Sequence, residues 1–305
     1  MPLIKSISGI RGTIGGSPGE NLTPIDIIRF TTAYALFLKQ NYPDIKIKVV
    51  VGRDSRISGE MVKDLVIGAL LSQGVNVIDL GMATTPTVEM AIVGQEAQGG
   101  VVISASHNPQ GWNALKLFNA QGEYLSQTDG EEVLQLVAAD NFNFVAEDQF
   151  GYYVFNPLLL REHLREILAL PLVAKKLIAA KNFKIVVDGI NSIGGRAVPD
   201  ILKILGVRPE NIIEINCDLS GKFAHQPEPL AENLTQIMAA VKKQKADLGI
   251  VVDPDVDRLA FIDEKGEMFG EEYTLVAVAD YVLENYDAIN AQNPSQYHKA
   301  TVSNL

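Results

Sequence analysis

Strand-length apolar runs, set between helix-length segments, constrain this chain more than any other feature. They fall at residues 45–51, 75–80, 101–103, 183–187 and 248–252 and are rich in Val and Ile. Each is long enough for a strand and too short for a helix. The run at 101–103 has no apolar/polar alternation, which suits a strand covered on both faces. Between the runs lie helical patterns. Thr23-Pro24 supplies a cap and a first-turn proline before a stripe of Ile25, Ile28, Thr32, Ala35, Leu36 and Leu38. Helices are also expected at 59–73 (Ser58 as cap, Gly74 as stop), from Thr84-Thr85-Pro86 to 93, at 128–139, 158–180, 197–205 and 234–245, and from 271 or 272 to 285. Strands are further expected at 115–118, 122–125, 212–215 and 259–262. Such alternation means an α/β protein built of successive three-layer α/β domains with parallel or mixed sheets.

The alternation is interrupted at residues 141–157, which are irregular and carry Phe142, Phe144, Phe150, Tyr152, Tyr153 and Phe155. A domain junction is expected there, with the aromatic side chains packed between domains. Stacking on nucleic acid would require interleaved basic residues. A length of 305 residues allows about two domains of ~100–200 residues. The expected divisions are 1–155, 156–260 and 261–305. The last is the start of an incomplete third domain, with another strand beginning at 297–305.

A net charge of −11 argues against nucleic acid as a partner. A phosphorylated substrate would need a local cationic patch. The single cysteine, Cys217, excludes an internal disulfide and fits a reducing compartment. Met1-Pro2-Leu3-Ile4-Lys5 is not followed by a signal-peptide apolar region, and no run reaches the ~18 apolar residues of a membrane span. The expected setting is the cytoplasm, away from membranes.

Chemistry gathers at a few loops. Ser104-Ala105-Ser106-His107-Asn108-Pro109 ends the 101–103 strand, at the place where open α/β sheets bind ligands. Ten residues beyond Ser106, Lys116 offers a mobile cation and proton donor. Taken alone, the stretch reads first as a polar strand-to-loop turn. Arg11, between Gly9 and Gly12, sits either in an ordinary turn or in an anion-binding nest. Arg53 and Arg56 flank Asp54, and at least one of them is expected to pair with it. The glycine turn at 189–195 lacks the G-x-G-x-x-G spacing of a dinucleotide site.

Asp253, Asp255 and Asp257 are the sharpest feature. Alternate residues of an extended segment lie ~6.6 Å apart on one side. Oxygens around Mg²⁺ must lie within ~4.2 Å of one another, and a bent loop with short side chains closes that gap. Three such charges are hard to keep ionised without a cation, and hard oxygen ligands favour Mg²⁺ or Ca²⁺ over zinc. A solvated acidic turn is the alternative. An EF-hand is excluded: Arg258 stands where its sixth position needs glycine, and a strand precedes the loop instead of a helix.

Phosphoryl transfer calls for a nucleophile, a divalent ion, cationic clamps and an acid/base. Ser106, the three aspartates, Arg11 with Arg258, and Lys116 supply one of each. A Walker-type phosphate loop is absent, and so is the G-x-S-x-G elbow of serine hydrolases.

Ser8-Gly9-Ile10-Arg11-Gly12, the serine loop, Asn113-Ala114-Leu115-Lys116 and Asp253-Pro254-Asp255-Val256-Asp257-Arg258 resemble, in order and spacing, the motifs of the α-D-phosphohexomutase family. This family comprises phosphoglucomutases, phosphomannomutases and phosphoglucosamine mutases. The resemblance implies that Ser106 carries a phosphate and passes it to a hexose phosphate through a hexose 1,6-bisphosphate. By the same resemblance, Asp253, Asp255, Asp257 and the Ser106 phosphate hold Mg²⁺. Arg11 and Arg258 flank that phosphate, Lys116 transfers protons, and His107 adjoins the nucleophile. The chain is expected to be monomeric or homodimeric.

Ala114 stands where the family usually has glycine, a change expected to matter little. The family has four domains. Its sugar-selecting loop in the third and its phosphate-gripping loop in the fourth have no counterpart here. The expectation is a fragment that keeps the phosphoserine and the metal site but binds sugar phosphate poorly. Phosphoglucosamine mutase is the favoured member, phosphomannomutase/phosphoglucomutase the alternative. From other classes, a non-catalytic sugar-phosphate binding protein and a Mg²⁺-dependent phosphohydrolase remain open.

Overall fold

The structure is a computed structural model and describes residues 3–6 and 9–285. Two mixed sheets organise the described residues. The first contains β1 (Ile4–Ser6), β2 (Gly9–Thr13), β3 (Lys48–Arg53), β4 (Asn76–Met82), β5 (Gly99–Ile103), β6 (Trp112–Phe118) and β7 (Tyr153–Phe155), in the order β1-β2-β6-β5-β3-β4-β7. Strands β5, β3, β4 and β7 are parallel. Strands β6, β2 and β1 extend the sheet, each antiparallel to its neighbour. Helices α1 (Pro24–Asn41), α2 (Gly59–Ser72), α3 (Thr85–Gly94) and α4 (Gln127–Ala139) cover its faces.

The two-residue period of a strand explains the layering. Val49, Val51, Val101 and Ile103 form one core with residues of α1, α2 and α4, including Phe30, Tyr34, Val66, Leu70 and Val133. Val50 and Val102 point the other way, into a core with Val88, Ala91 and Ile92 of α3. Both faces are dry, so the central stretches Val49–Val51 and Val101–Ile103 are apolar without alternation. Each buried Val or Ile contributes roughly 1.5–3 kcal/mol relative to exposure.

The second sheet repeats the plan. Its strands are β8 (Ile185–Asp188), β9 (Ile212–Ile215), β10 (Leu248–Val252), β11 (Leu259–Ile262) and β12 (Met268–Phe269), in the order β12-β11-β10-β8-β9. β10, β8 and β9 are parallel, and β11 and β12 add antiparallel. Its helices are α5 (Leu159–Ala169), α6 (Lys175–Lys181), α7 (Gly194–Leu205) and α8 (Thr235–Gln244), and α9 (Glu271–Glu284) follows. Val186, Val251 and Ile262 pack with Ile237 and Val241 of α8. Ile185, Val187 and Val252 pack with Val198 and Leu202 of α7.

Several expectations are corrected. The helix expected at 158–180 is two helices, because Pro171 follows Leu170 and forces it into an extended conformation (φ −61°, ψ 133°). Ser58 is itself helical and makes no cap; its hydroxyl accepts from Asn113. Arg11 lies in strand β2, paired with Ala114, and not in a turn. The aromatic side chains Phe144, Phe150, Tyr152, Tyr153 and Phe155 are exposed instead of packed between domains. Tyr153 and Phe155 lie on β7, a three-residue edge strand that among the described residues pairs with β4 alone. Helix α5 joins the two sheets: its Leu159 enters the α3 core, while Leu160 and Leu164 pack on Ala197 of α7. The expected division at 260 falls inside β11, and the second sheet continues to Phe269. The strand expected at 297–305 lies outside the described residues. No helix among the described residues is long and apolar enough to cross a membrane.

Candidate active site

The serine loop leaves β5 at Ile103. Ser106 takes a left-handed conformation at φ +47°, which costs an L-residue roughly 1–2 kcal/mol. Its N–H donates to Ser104 Oγ at 2.9 Å, and its carbonyl accepts from Arg56 Nη2 at 2.5 Å. Held in this way, the hydroxyl donates to Asp253 Oδ2 at 2.6 Å, across to the other sheet. His107 Nδ1 lies 3.4 Å from the same hydroxyl. Burial, followed by the Arg258 charge, pushes the His107 pKa down, which favours the neutral ring.

The aspartate loop leaves β10 at Val252. It is a tight turn, in which the N–H groups of Asp257 and Arg258 donate to Asp253 Oδ1 at 3.1 and 3.0 Å. Val256, a β-branched residue, is held at φ +64°, a genuine outlier of the kind found at functional sites. The turn brings one carboxylate oxygen from each of Asp253, Asp255 and Asp257 within 4.8 Å of one another, close to the ~4.2 Å span around a single Mg²⁺. Asp253 and Asp255 are fully buried. Burial, then the charges of Asp255 and Asp257, push the Asp253 carboxyl well above the usual range. Burial also opposes ionisation of Asp255, but Lys116 overcomes this and holds its carboxyl below the usual range.

Lys116, on β6, donates to Asp255 Oδ2 at 2.6 Å and Asp257 Oδ2 at 2.7 Å. Burial works against its charge, yet these two carboxylates raise its pKa, so it is an ammonium. One ammonium does not balance three carboxylates. Asp255 Oδ1 is buried with no hydrogen-bond partner. An orphaned oxygen, an all-oxygen donor set and surplus negative charge fit a hard divalent cation.

All eight expected site residues meet here. Ser106, His107, Lys116, Arg11, Asp257 and Arg258 line a cavity of about 450 Å³, and Asp253 and Asp255 bond directly to Ser106 and Lys116. Arg258 pairs with Glu228 at 2.8 Å. Sequence reasoning missed the residues that hold this assembly. Thr84 caps α3, leaving the Thr85 N–H and hydroxyl to bond the carbonyl and carboxylate of Asp255. Tyr124 also lines the cavity. The expected pairing of Asp54 is with Arg56, at 3.1 Å, while Arg53 pairs with Glu60. The remaining donors of Arg56 go to carbonyls of the serine loop and of Trp112 just after it, which no local pattern announced.

Two α/β units presenting their strand ends to one polar cavity define the class of protein. Residues 4–144 match the domain described as "Phosphoglucomutase/phosphomannomutase, alpha/beta/alpha domain I", and residues 161–266 match alpha/beta/alpha domain II. The chain therefore belongs to the phosphoglucomutase/phosphomannomutase family, the α-D-phosphohexomutases. It is 36% identical over 279 residues to a phosphoglucomutase/phosphomannomutase of Thermococcus kodakarensis, covering 89% of this chain and 59% of that protein. It is 34% identical over 270 residues to a phosphoglucosamine/phosphogalactosamine mutase of Sulfurisphaera tokodaii, covering 88% of this chain and 56% of that protein. The chain thus spans under three-fifths of the length of these relatives. A phosphoglucomutase/phosphomannomutase family protein of Burkholderia thailandensis shares the fold, with a TM-score of 0.74 at 23% identity over 93% of this chain and 60% of that one.

Proposed function

We propose that Ser106 carries a phosphoryl group and exchanges it with a hexose phosphate, interconverting the 6- and 1-phosphates through a hexose 1,6-bisphosphate. The observation that carries this reading is the 2.6 Å bond from Ser106 Oγ to Asp253, a member of the carboxylate cluster. A lone carboxylate at that position would serve as a base, whereas a cluster of three fits a cation site. A serine that holds a phosphate needs a cation site beside it.

Asp253, Asp255 and Asp257 would hold Mg²⁺ together with the Ser106 phosphate. When bound, Mg²⁺ neutralises and polarises the phosphoryl group. Arg11 and Arg258, from different units, bind its oxygens across the cavity and spread the charge developing in transfer. The bond from phosphorus to Ser106 Oγ breaks as one to a sugar hydroxyl forms. The proton of that hydroxyl must reach the serine oxygen, and Lys116 is the group placed to manage it. The sugar then turns, and its other phosphate returns to Ser106.

Glucosamine phosphates are the substrates put first, supported by the Sulfurisphaera tokodaii relative's name. Glucose and mannose phosphates come next, supported by the Thermococcus kodakarensis relative. The test is intact-mass analysis of the chain before and after incubation with glucose 1,6-bisphosphate and Mg²⁺. A phosphate adduct mapped to Ser106, and lost in Ser106→Ala, is expected. Absence of any adduct on the wild type overturns the reading. Phosphate released to water in that case points to a phosphohydrolase, and sugar phosphate bound without turnover points to a binding protein.

A further inference from the structure

The loop after β3, Asp54-Ser55-Arg56, takes no part in the chemistry proposed above, yet it touches both halves of the site. Arg56 is fully buried, and each of its five N–H donors has an acceptor. Nε donates to Asp54 Oδ2 at 3.1 Å. Nη1 donates to the carbonyls of Pro109 and Trp112 at 2.8 and 3.0 Å. Nη2 donates to the carbonyls of Ser106 and Asn108 at 2.5 and 2.8 Å. Four of the five acceptors are therefore carbonyls in or just after the serine loop. Asp54 Oδ2 also accepts from Ser104 Oγ at 2.8 Å, and Ser104 Oγ accepts from the N–H of Ser106. Both backbone polar groups of Ser106 are thus held by one buried network.

The same loop grips the second unit. Ser55 Oγ donates to the Asn191 carbonyl at 2.9 Å, and its N–H donates to Ser192 Oγ at 3.3 Å. Ser192 Oγ in turn donates to the carbonyl of Pro254, inside the aspartate loop, at 2.6 Å. The Arg56 guanidinium lies over the Phe223 ring of the second unit, 5.0 Å from its centre.

We infer that Asp54, Arg56 and Ser104 are positioning residues for Ser106: they hold it in its left-handed conformation and, through Ser55 and Ser192, fix the register of the serine loop against the aspartate loop. A left-handed serine left to itself relaxes to negative φ, which swings its side chain away from its present line. A planar guanidinium binds several carbonyls at fixed angles, which a lysine ammonium cannot reproduce. This inference rests on the phosphate-carrier reading of Ser106.

The experiment follows phosphorylation of Ser106 by glucose 1,6-bisphosphate with Mg²⁺, using time-resolved intact mass, in the wild type, Ser104→Ala and Arg56→Lys. The bisphosphate concentration is varied, so that maximal rate and half-saturation separate. Misplacing a reacting group by an ångström costs on the order of 10²-fold in rate. A fall of about tenfold or more in maximal rate is expected in both variants, with half-saturation and the circular dichroism spectrum unchanged. Ser104→Ala removes one hydroxyl and keeps the test valid if Arg56→Lys fails to fold. Wild-type maximal rates in the folded variants would overturn the inference and leave the phosphate-carrier reading intact, as would a loss seen wholly in half-saturation. A wild type that takes no label would remove the phosphate-carrier reading, and this inference with it.

Discussion

At the scale of the residue, the site depends on side chains held in costly states by their surroundings. Ser106 and Val256 both sit at positive φ, and each has neighbours that enforce it. His225 shows the same dependence for charge. Its Nε2 faces Asp188 Oδ2 at 3.1 Å and its Nδ1 faces the Gln226 carbonyl at 2.7 Å, so both ring nitrogens meet acceptors. A neutral ring donates through one nitrogen only. Burial works against the charge, but Asp188 and the carbonyl outweigh it and raise the His225 pKa above its ordinary 6.5. A raised folded-state value contributes stability that is complete below about 6.5 and lost as the pH climbs through the folded value. Urea unfolding should therefore show a gap between wild type and His225→Gln that is wider at pH 5.5 than at pH 8.5. A gap that does not change with pH would contradict the pairing.

At the scale of the element, turns set the site more than helices or strands do. Gly221 sits at φ +67°, and a Cβ there would lie 1.9 Å from the Ser55 carbonyl oxygen. Its N–H bonds the Asn191 carbonyl, in the same patch where Ser55 grips the second unit. Gly221→Ala should lower unfolding free energy by at least about 2 kcal/mol. Gly68→Ala, in α2 with open space around it, should be neutral or stabilising by roughly 0.5–1 kcal/mol. Chemical denaturation of the two variants side by side checks this. Most elements themselves were legible, because a strand buried on both faces announces itself as an unbroken apolar run. The split at Pro171 was missed: proline disfavours a helical conformation for the residue before it, but does not forbid one, and Val198 stays helical before Pro199 in α7. The exposure of Tyr153 and Phe155 was not legible either, because an edge strand and a buried strand share the same residue types.

At the scale of the whole molecule, the site belongs to neither sheet alone. Ser106, Lys116 and Arg11 come from the first unit, and the aspartates and Arg258 from the second. A cation held by the three aspartates would neutralise buried charge at this seam and stabilise the folded chain by mass action. Thermal unfolding should therefore shift upward with rising Mg²⁺ in the wild type, and far less in Asp255→Asn. The variant's affinity should fall on the order of 10–100-fold or more. Identical shifts in both proteins would show that the ion acts elsewhere.

The sequence by itself determined the α/β architecture, the serine and aspartate loops and, through their resemblance to family motifs, the eight residues that the fold gathers at one cavity. These are local matters: a period of apolar residues, a proline, or three carboxylates at alternate positions suffices to signal them. The tertiary structure alone decided what holds the loops in place. Arg56 meets carbonyls some fifty residues away, Thr85 meets an aspartate 170 residues away, and Ser192 bridges the two units. Backbone carbonyls leave no trace in a sequence, since every residue has one. A donor that seeks them becomes visible only when the chain has folded and brought them within reach.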